Sequence, residues 1–84
     1  MTIEDQLKDY ICRNLLFSDN GYPYDDQASF LEEGIVDSVG VMELVTFVEE
    51  SFSLKIDDYE VTPDNFDSVS RLSTFIRRKS GETG

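Results

Sequence analysis

From Ile3 onward the apolar residues fall at Ile3, Leu7, Tyr10, Ile11 and Leu15, spacings of three and four that gather them on one face of a helix. Thr2, followed three residues later by Asp5, has the form of a capping box with Asp in place of Glu, and the acids Glu4 and Asp5 suit a helix N-terminus. Ser18 to Gly21 and Pro23 then break the period. The stretch through Asp37 reads as a long connection that carries Tyr22, Tyr24, Phe30, Leu31 and Ile35. Connections this long are uncommon unless they do a job, and the apolar residues predict that this one is pinned to the core, with Phe30 and Leu31 as anchors and Gly34 permitting the turn that presents Asp37 and Ser38.

Between Ser38 and Phe52 the helical period returns: Val41, Leu44, Val45, Val48 and Phe52 form one stripe. Away from it, Val39, Met42 and Thr46 interleave with Glu43, Glu49 and Glu50, a second face that is part apolar and part acidic. A short helical turn is expected around Asp57 to Val61, ended by Thr62-Pro63 because the residue before proline avoids the α region. The last helix is expected to start near Asp67 as its cap and to run through Val69, Leu72, Phe75 and Ile76, with Arg77, Arg78 and Lys79 at the end of the helix that favours positive charge. No stretch alternates as a strand would. The pattern predicts an all-α fold: a small four-helix bundle with a long first loop and a short third helix, one domain over 1–79 and a flexible tail at 80–84.

A chain of 84 residues forms one domain that buries roughly 60 to 65% of its unfolded surface, enough for one small core and too little for a deep catalytic cleft. The formal net charge of −11 argues against nucleic acid and anionic membranes as partners, since phosphate binding is driven by Lys and Arg, and points to basic protein partners. With no histidine there is no Ser-His-Asp triad and no His-containing metal site, so an enzyme in its own right is not expected. The single cysteine, Cys12, has no internal partner for a disulfide, which fits a reducing, cytoplasmic setting; it lies off the main stripe of the first helix and reads as a structural or incidental thiol. No apolar run approaches the roughly 18 residues of a membrane span, and no targeting signal is visible. A monomer is expected from the high charge.

Candidate chemistry centres on Ser38. An Asp-Ser pair at a loop-to-helix junction is by itself an ordinary capping arrangement, and the chain holds a second one, Asp67-Ser68, at the start of the last helix. Context separates the two. Asp67-Ser68-Val69 continues into Ser70, Arg71 and Leu72 with no second acidic face, whereas Asp37-Ser38-Val39 leads to Glu43-Leu44 and Glu49-Glu50.

The stretch GIVDSVGVMELVTFVEESF resembles the prosthetic-group site of acyl carrier proteins, and the likeness spans nearly the whole chain, through to the segment NFDSVSRL. The resemblance implies that Ser38 carries 4'-phosphopantetheine, with Asp37 flanking it, and that Val39, Met42, Glu43, Thr46, Glu49 and Glu50 form a docking face. It implies a phosphopantetheinyl transferase that uses coenzyme A and a divalent metal, an AMP-forming acyl or aminoacyl ligase, and an acyltransferase or condensing enzyme as partners. Val39 stands where Leu is usual and Gly40 where an acid is frequent, so the chain is more similar to stand-alone carriers served by a separate ligase, the aminoacyl and D-alanyl groups among them, than to carriers of primary fatty acid synthesis. At Gly40 a looser first turn is expected, since glycine costs up to about 1 kcal/mol there.

The alternative is an acidic interaction module whose Ser38 is never modified. Two further features are weighed. Asp57, Asp58, Glu60 and Asp64 cluster without the glycine and ligand spacing of an EF-hand, and read as solvated charge that binds divalent cations loosely. Tyr22-Pro23-Tyr24 reads as cover for the core in preference to a wall for an acyl pocket.

Overall fold

The computed structural model describes residues 2–17 and 21–82. Helix α1 spans Ile3–Asn14 and opens on Thr2, whose Oγ1 accepts the Asp5 N–H at 3.0 Å. Helix α2 spans Ser38–Phe52 and closes on Ser53 in the left-handed region, φ 54°. A 3-10 turn, Asp58–Glu60, precedes the four-residue α3, Pro63–Phe66, and α4 covers Val69–Glu82. Among the described residues there is no strand, and no helix is long and apolar enough to cross a membrane.

α4 is the element against which α1, α2 and α3 all pack. Its Val69, Leu72, Phe75 and Ile76 meet Leu7 and Ile11 of α1, Leu44 and Val48 of α2, and Phe66 of α3 in one core. Each such side chain contributes about 1.5–3 kcal/mol when fully buried. Tyr10 and Phe47 add a stacked pair across α1 and α2, ring centres 4.1 Å apart and planes 19° apart. Val41 and Phe52 lie at the edge of the α2 stripe, half-buried.

Several expectations need correction. Pro63 starts α3 and does not merely end the turn before it: a first-turn residue needs no N–H donor, and the fixed φ of proline suits that position. Asp67 does not cap α4; Ser68 does, its Oγ accepting the Arg71 N–H at 3.0 Å. α4 continues past Lys79 through Ser80 and Gly81 to Glu82, where a tail from residue 80 is expected. Cys12, although off the main stripe of α1, is buried, 4% exposed, which fits a structural thiol. Of the two loop anchors only Phe30 is buried; Leu31 is 59% exposed. The segment from Ser29 to Gly34 coils as a helical turn, with the Glu33 N–H donating to the Ser29 carbonyl at 3.0 Å, so the two side chains point about 100° apart, Phe30 inward and Leu31 outward. The expected break at Ser18 to Asn20 and the tail residues Thr83 and Gly84 lie outside the described residues.

Among the described residues, five of the seven basic side chains are engaged by acids: Lys8 by Asp26, Arg13 by Asp9, Arg71 by Asp64, Arg77 by Glu4 and Lys79 by Glu60. None of these acids belongs to α2. The cations therefore serve the frame, and none of the α2 carboxylates has an ion-pair partner among the described residues; Glu43 and Glu50 are exposed.

Candidate functional site

The start of α2 is built by Asp37. Its backbone is extended, and its Oδ1 accepts the Gly40 N–H at 2.7 Å, satisfying one of the donors that a helix N-terminus leaves free. Gly40 is buried, and a Cβ there would sit 3.0 Å from Val36 Cγ1 and 3.3 Å from Asp37 Oδ1. Glycine at this position thus allows Val36 and the capping carboxylate to close over the first turn. The looser first turn expected at Gly40 follows from helix propensity alone; the close packing that glycine permits here is a separate role. Gly34, with φ 66°, makes the turn before the site, as its position in the pattern predicts.

With the cap supplied by Asp37, the Ser38 hydroxyl has no capping task. Ser38 is the first residue of α2 and is exposed, and its hydroxyl finds no hydrogen-bond partner among the described residues. The site lies where the positive end of the α2 dipole and the free first-turn N–H groups favour an anion.

Around it, Val39 is 69% exposed and Met42 59% exposed. Glu43 and Glu50 are exposed on the same side of the helix, as is Thr46, whose hydroxyl donates to the Met42 carbonyl at 3.2 Å. Glu49 differs from the rest of the predicted face. It is half-buried, and its Oε2 accepts the Ile56 N–H at 2.9 Å, which ties down the chain leaving α2. The Tyr10 hydroxyl donates to the Glu43 carbonyl at 3.4 Å; burial first, and then the charges of Glu43 and Glu50, push that phenol above its ordinary pKa.

The chain matches no family model and no curated protein sequence.

On one flank of the site an apolar cleft of about 140 Å³ is walled by Phe30, Leu31, Val41, Val61 and Phe66. Tyr22 and Tyr24 are not among its walls; they pack edge-on against each other at 5.7 Å and cover the core. On the other flank a shallow depression is bordered by Leu15, Phe17, Val36, Val39 and Glu43. Phe17 is 81% exposed and holds φ 53°, a display that periodicity alone does not announce, because the residue follows the last turn of α1.

The acidic cluster at Asp57 to Asp64 is divided by its contacts. Glu60 bonds Lys79 at 2.8 and 3.1 Å and takes the Asp57 N–H, which holds its carboxyl below the usual range, and Asp64 faces Arg71. Among the described residues no group of three acids or other ligating side chains is placed to hold a metal ion.

Proposed function

We propose that this chain is an acyl or aminoacyl carrier in which Ser38 is the attachment point for 4'-phosphopantetheine taken from coenzyme A. The observation that carries the reading is the division of labour within one dipeptide: Asp37 caps α2, so the Ser38 oxygen is exposed and unpartnered at the first turn. Two longer helices, α1 and α2, and the short α3 packed against α4 support the reading of an acyl-carrier-like bundle.

The residues present fit the group. A phosphodiester on Ser38 Oγ would lie at the α2 N-terminus, which favours negative charge, and the exposed position leaves room for the arm. When attached, the group supplies a flexible thiol that holds a carboxylic acid as a thioester. The chain's own task is to present Ser38 to a phosphopantetheinyl transferase and then to an AMP-forming ligase and an acyltransferase or condensing enzyme. Val39 and Met42 offer apolar contact, while Asp37, Glu43 and Glu50 attract basic residues, so association is fast and weakened by salt. In this reading the protein is not an enzyme; catalysis belongs to its partners.

Intact mass before and after incubation with coenzyme A, magnesium and a broad-specificity phosphopantetheinyl transferase tests the proposal, with Ser38→Ala in parallel. A gain of one phosphopantetheine in the parent alone supports it. No gain with several transferases, on a folded chain, favours the acidic docking module, a second reading for which the unpaired carboxylates of α2 speak.

A further inference from the structure

The two Asp-Ser pairs of this chain do opposite work. At the start of α2 the aspartate caps the helix and the serine is free. At the start of α4 the serine caps, with Ser68 Oγ accepting the Arg71 N–H at 3.0 Å and only 3% of the residue exposed. Asp67 is thereby released from its own helix, and its side chain turns to the long loop. Its Oδ2 accepts the Ser29 hydroxyl at 2.6 Å, its Oδ1 accepts the Leu31 N–H at 3.2 Å, and its carbonyl accepts the Phe30 N–H at 2.7 Å. Three consecutive loop residues thus hang on one residue of the α3–α4 joint.

From there the connection runs to the site. The Phe30 carbonyl accepts the Ile35 N–H at 2.9 Å and the Val36 N–H at 3.5 Å, and Val36 closes over Gly40 at the first turn of α2. Ser29 Oγ, held by Asp67, also accepts the Glu32 N–H at 3.1 Å and so shapes the turn between these points. The Ser70 N–H donates to the Asp26 carbonyl at 2.9 Å, a second tie between α4 and the loop just upstream. Loops are the mobile parts of a small domain, and a serine at a loop-to-helix junction is aimed only as well as the loop behind it is held.

We propose that Asp67 is a positioning residue for Ser38: it fixes the loop through Ser29, Phe30 and Leu31, and thereby the direction from which Asp37 and Ser38 enter α2. The proposal rests on the carrier reading for its functional consequence, while the clasp itself is independent of that reading. Asp67 touches no reacting atom and acts through the loop alone.

The test compares the parent with Asp67→Ala, Asp67→Asn and Ser29→Ala, well below the melting temperature of each, by two measurements. The first is backbone amide exchange at Phe30, Leu31, Ile35 and Val36 against the core amides of α1 and α4. The second is the steady-state rate of phosphopantetheine transfer to Ser38. Asp67→Ala is expected to speed exchange at the four loop amides while the core amides keep their protection. It is expected to lower kcat of the transferase about ten- to a hundredfold, the scale of a misplaced reacting group, with KM little changed because the α2 face is intact. Asp67→Asn keeps an acceptor for Leu31 and should recover part of both effects, and Ser29→Ala, which removes the Asp67 contact and the acceptor for the Glu32 N–H but leaves the Leu31 arm, should fall between Asp67→Ala and the parent.

Parent-like exchange at the loop in Asp67→Ala overturns the clasp. Faster exchange with an unchanged transfer rate overturns the positioning role and leaves the carrier reading standing. A loss of protection spread evenly over loop and core also overturns it, by showing a general structural role. If the parent itself is never modified, the carrier reading fails and the positioning role with it, whereas the exchange data still decide the clasp.

Discussion

Arg77 grips Glu4 with both arms of its guanidinium, Nη1 to Oε2 and Nη2 to Oε1, each at 2.7 Å, and so joins the first turn of α1 to α4 across the molecule. Hydrogen bonding to Arg77 is the main reason that the Glu4 carboxyl titrates at about 2 and not at its ordinary 4.5. Because the folded value is the lower one, the stabilisation is complete above pH 4.5 and disappears as pH falls through the interval down to 2. Glu60, lowered by Lys79, adds to the same trend. Thermal melting between pH 6 and 2 should therefore show a falling limb in the parent that is shallower in Glu4→Gln. Parallel limbs would show that the pair is not formed in solution.

Gly40→Ala sets helix propensity against space. Alanine gains about 1 kcal/mol in a helix, but its Cβ would press on buried Val36 and on the capping oxygen of Asp37, and overpacking of this kind costs about 1–3 kcal/mol. The expected net result is a lower melting temperature, by about 4–8 °C for each 1 kcal/mol lost in a domain of this size. A rise in melting temperature would mean that Val36 yields freely.

The Tyr22 hydroxyl is buried and finds no hydrogen-bond partner among the described residues, while burial pushes its pKa well above the ordinary value. Removing such a group relieves a desolvation penalty. Tyr22→Phe should accordingly be neutral or more stable, by up to about 1 kcal/mol, in urea unfolding. A loss of more than that would reveal a partner for the hydroxyl.

Asp37 has two separable duties, the cap and its charge. Asp37→Asn keeps the cap, and its melting temperature should stay near that of the parent, whereas Asp37→Ala should lose about 1 kcal/mol. If the carboxylate also meets a basic group on the transferase, Asp37→Asn raises KM for modification without loss of stability. Equal kinetics for Asp37→Asn and the parent would confine Asp37 to the cap.

The helices themselves were legible from spacing because α1, α2 and α4 each bury one stripe, and burial imposes its period on the residues. What periodicity could not distinguish were choices between neighbours. Phe30 and Leu31 are equally apolar, yet the turn that begins at Ser29 sends one inward and the other out. Asp37-Ser38 and Asp67-Ser68 are the same dipeptide, each just before or at a helix start; which member caps is decided by where the chain arrives from, and Asp67 is drawn away by a loop some forty residues earlier in the sequence. Glu49 looked like its neighbour Glu50 until the Ile56 N–H, which lies beyond the end of α2, claimed it. The candidate serine was visible because its surroundings are contiguous in sequence. The residues that hold its loop were not, because they come from the far end of the chain.

Since the first turn of α2 is closed by Asp37 and owes nothing to the Ser38 hydroxyl, whatever is joined to that oxygen arrives on a finished fold. Under the proposed carrier function, maturation and loading would run on separate clocks: a newly made molecule would reach its native shape without waiting for a modifying enzyme, and a pool of bare molecules would be a waiting stock, not a damaged one.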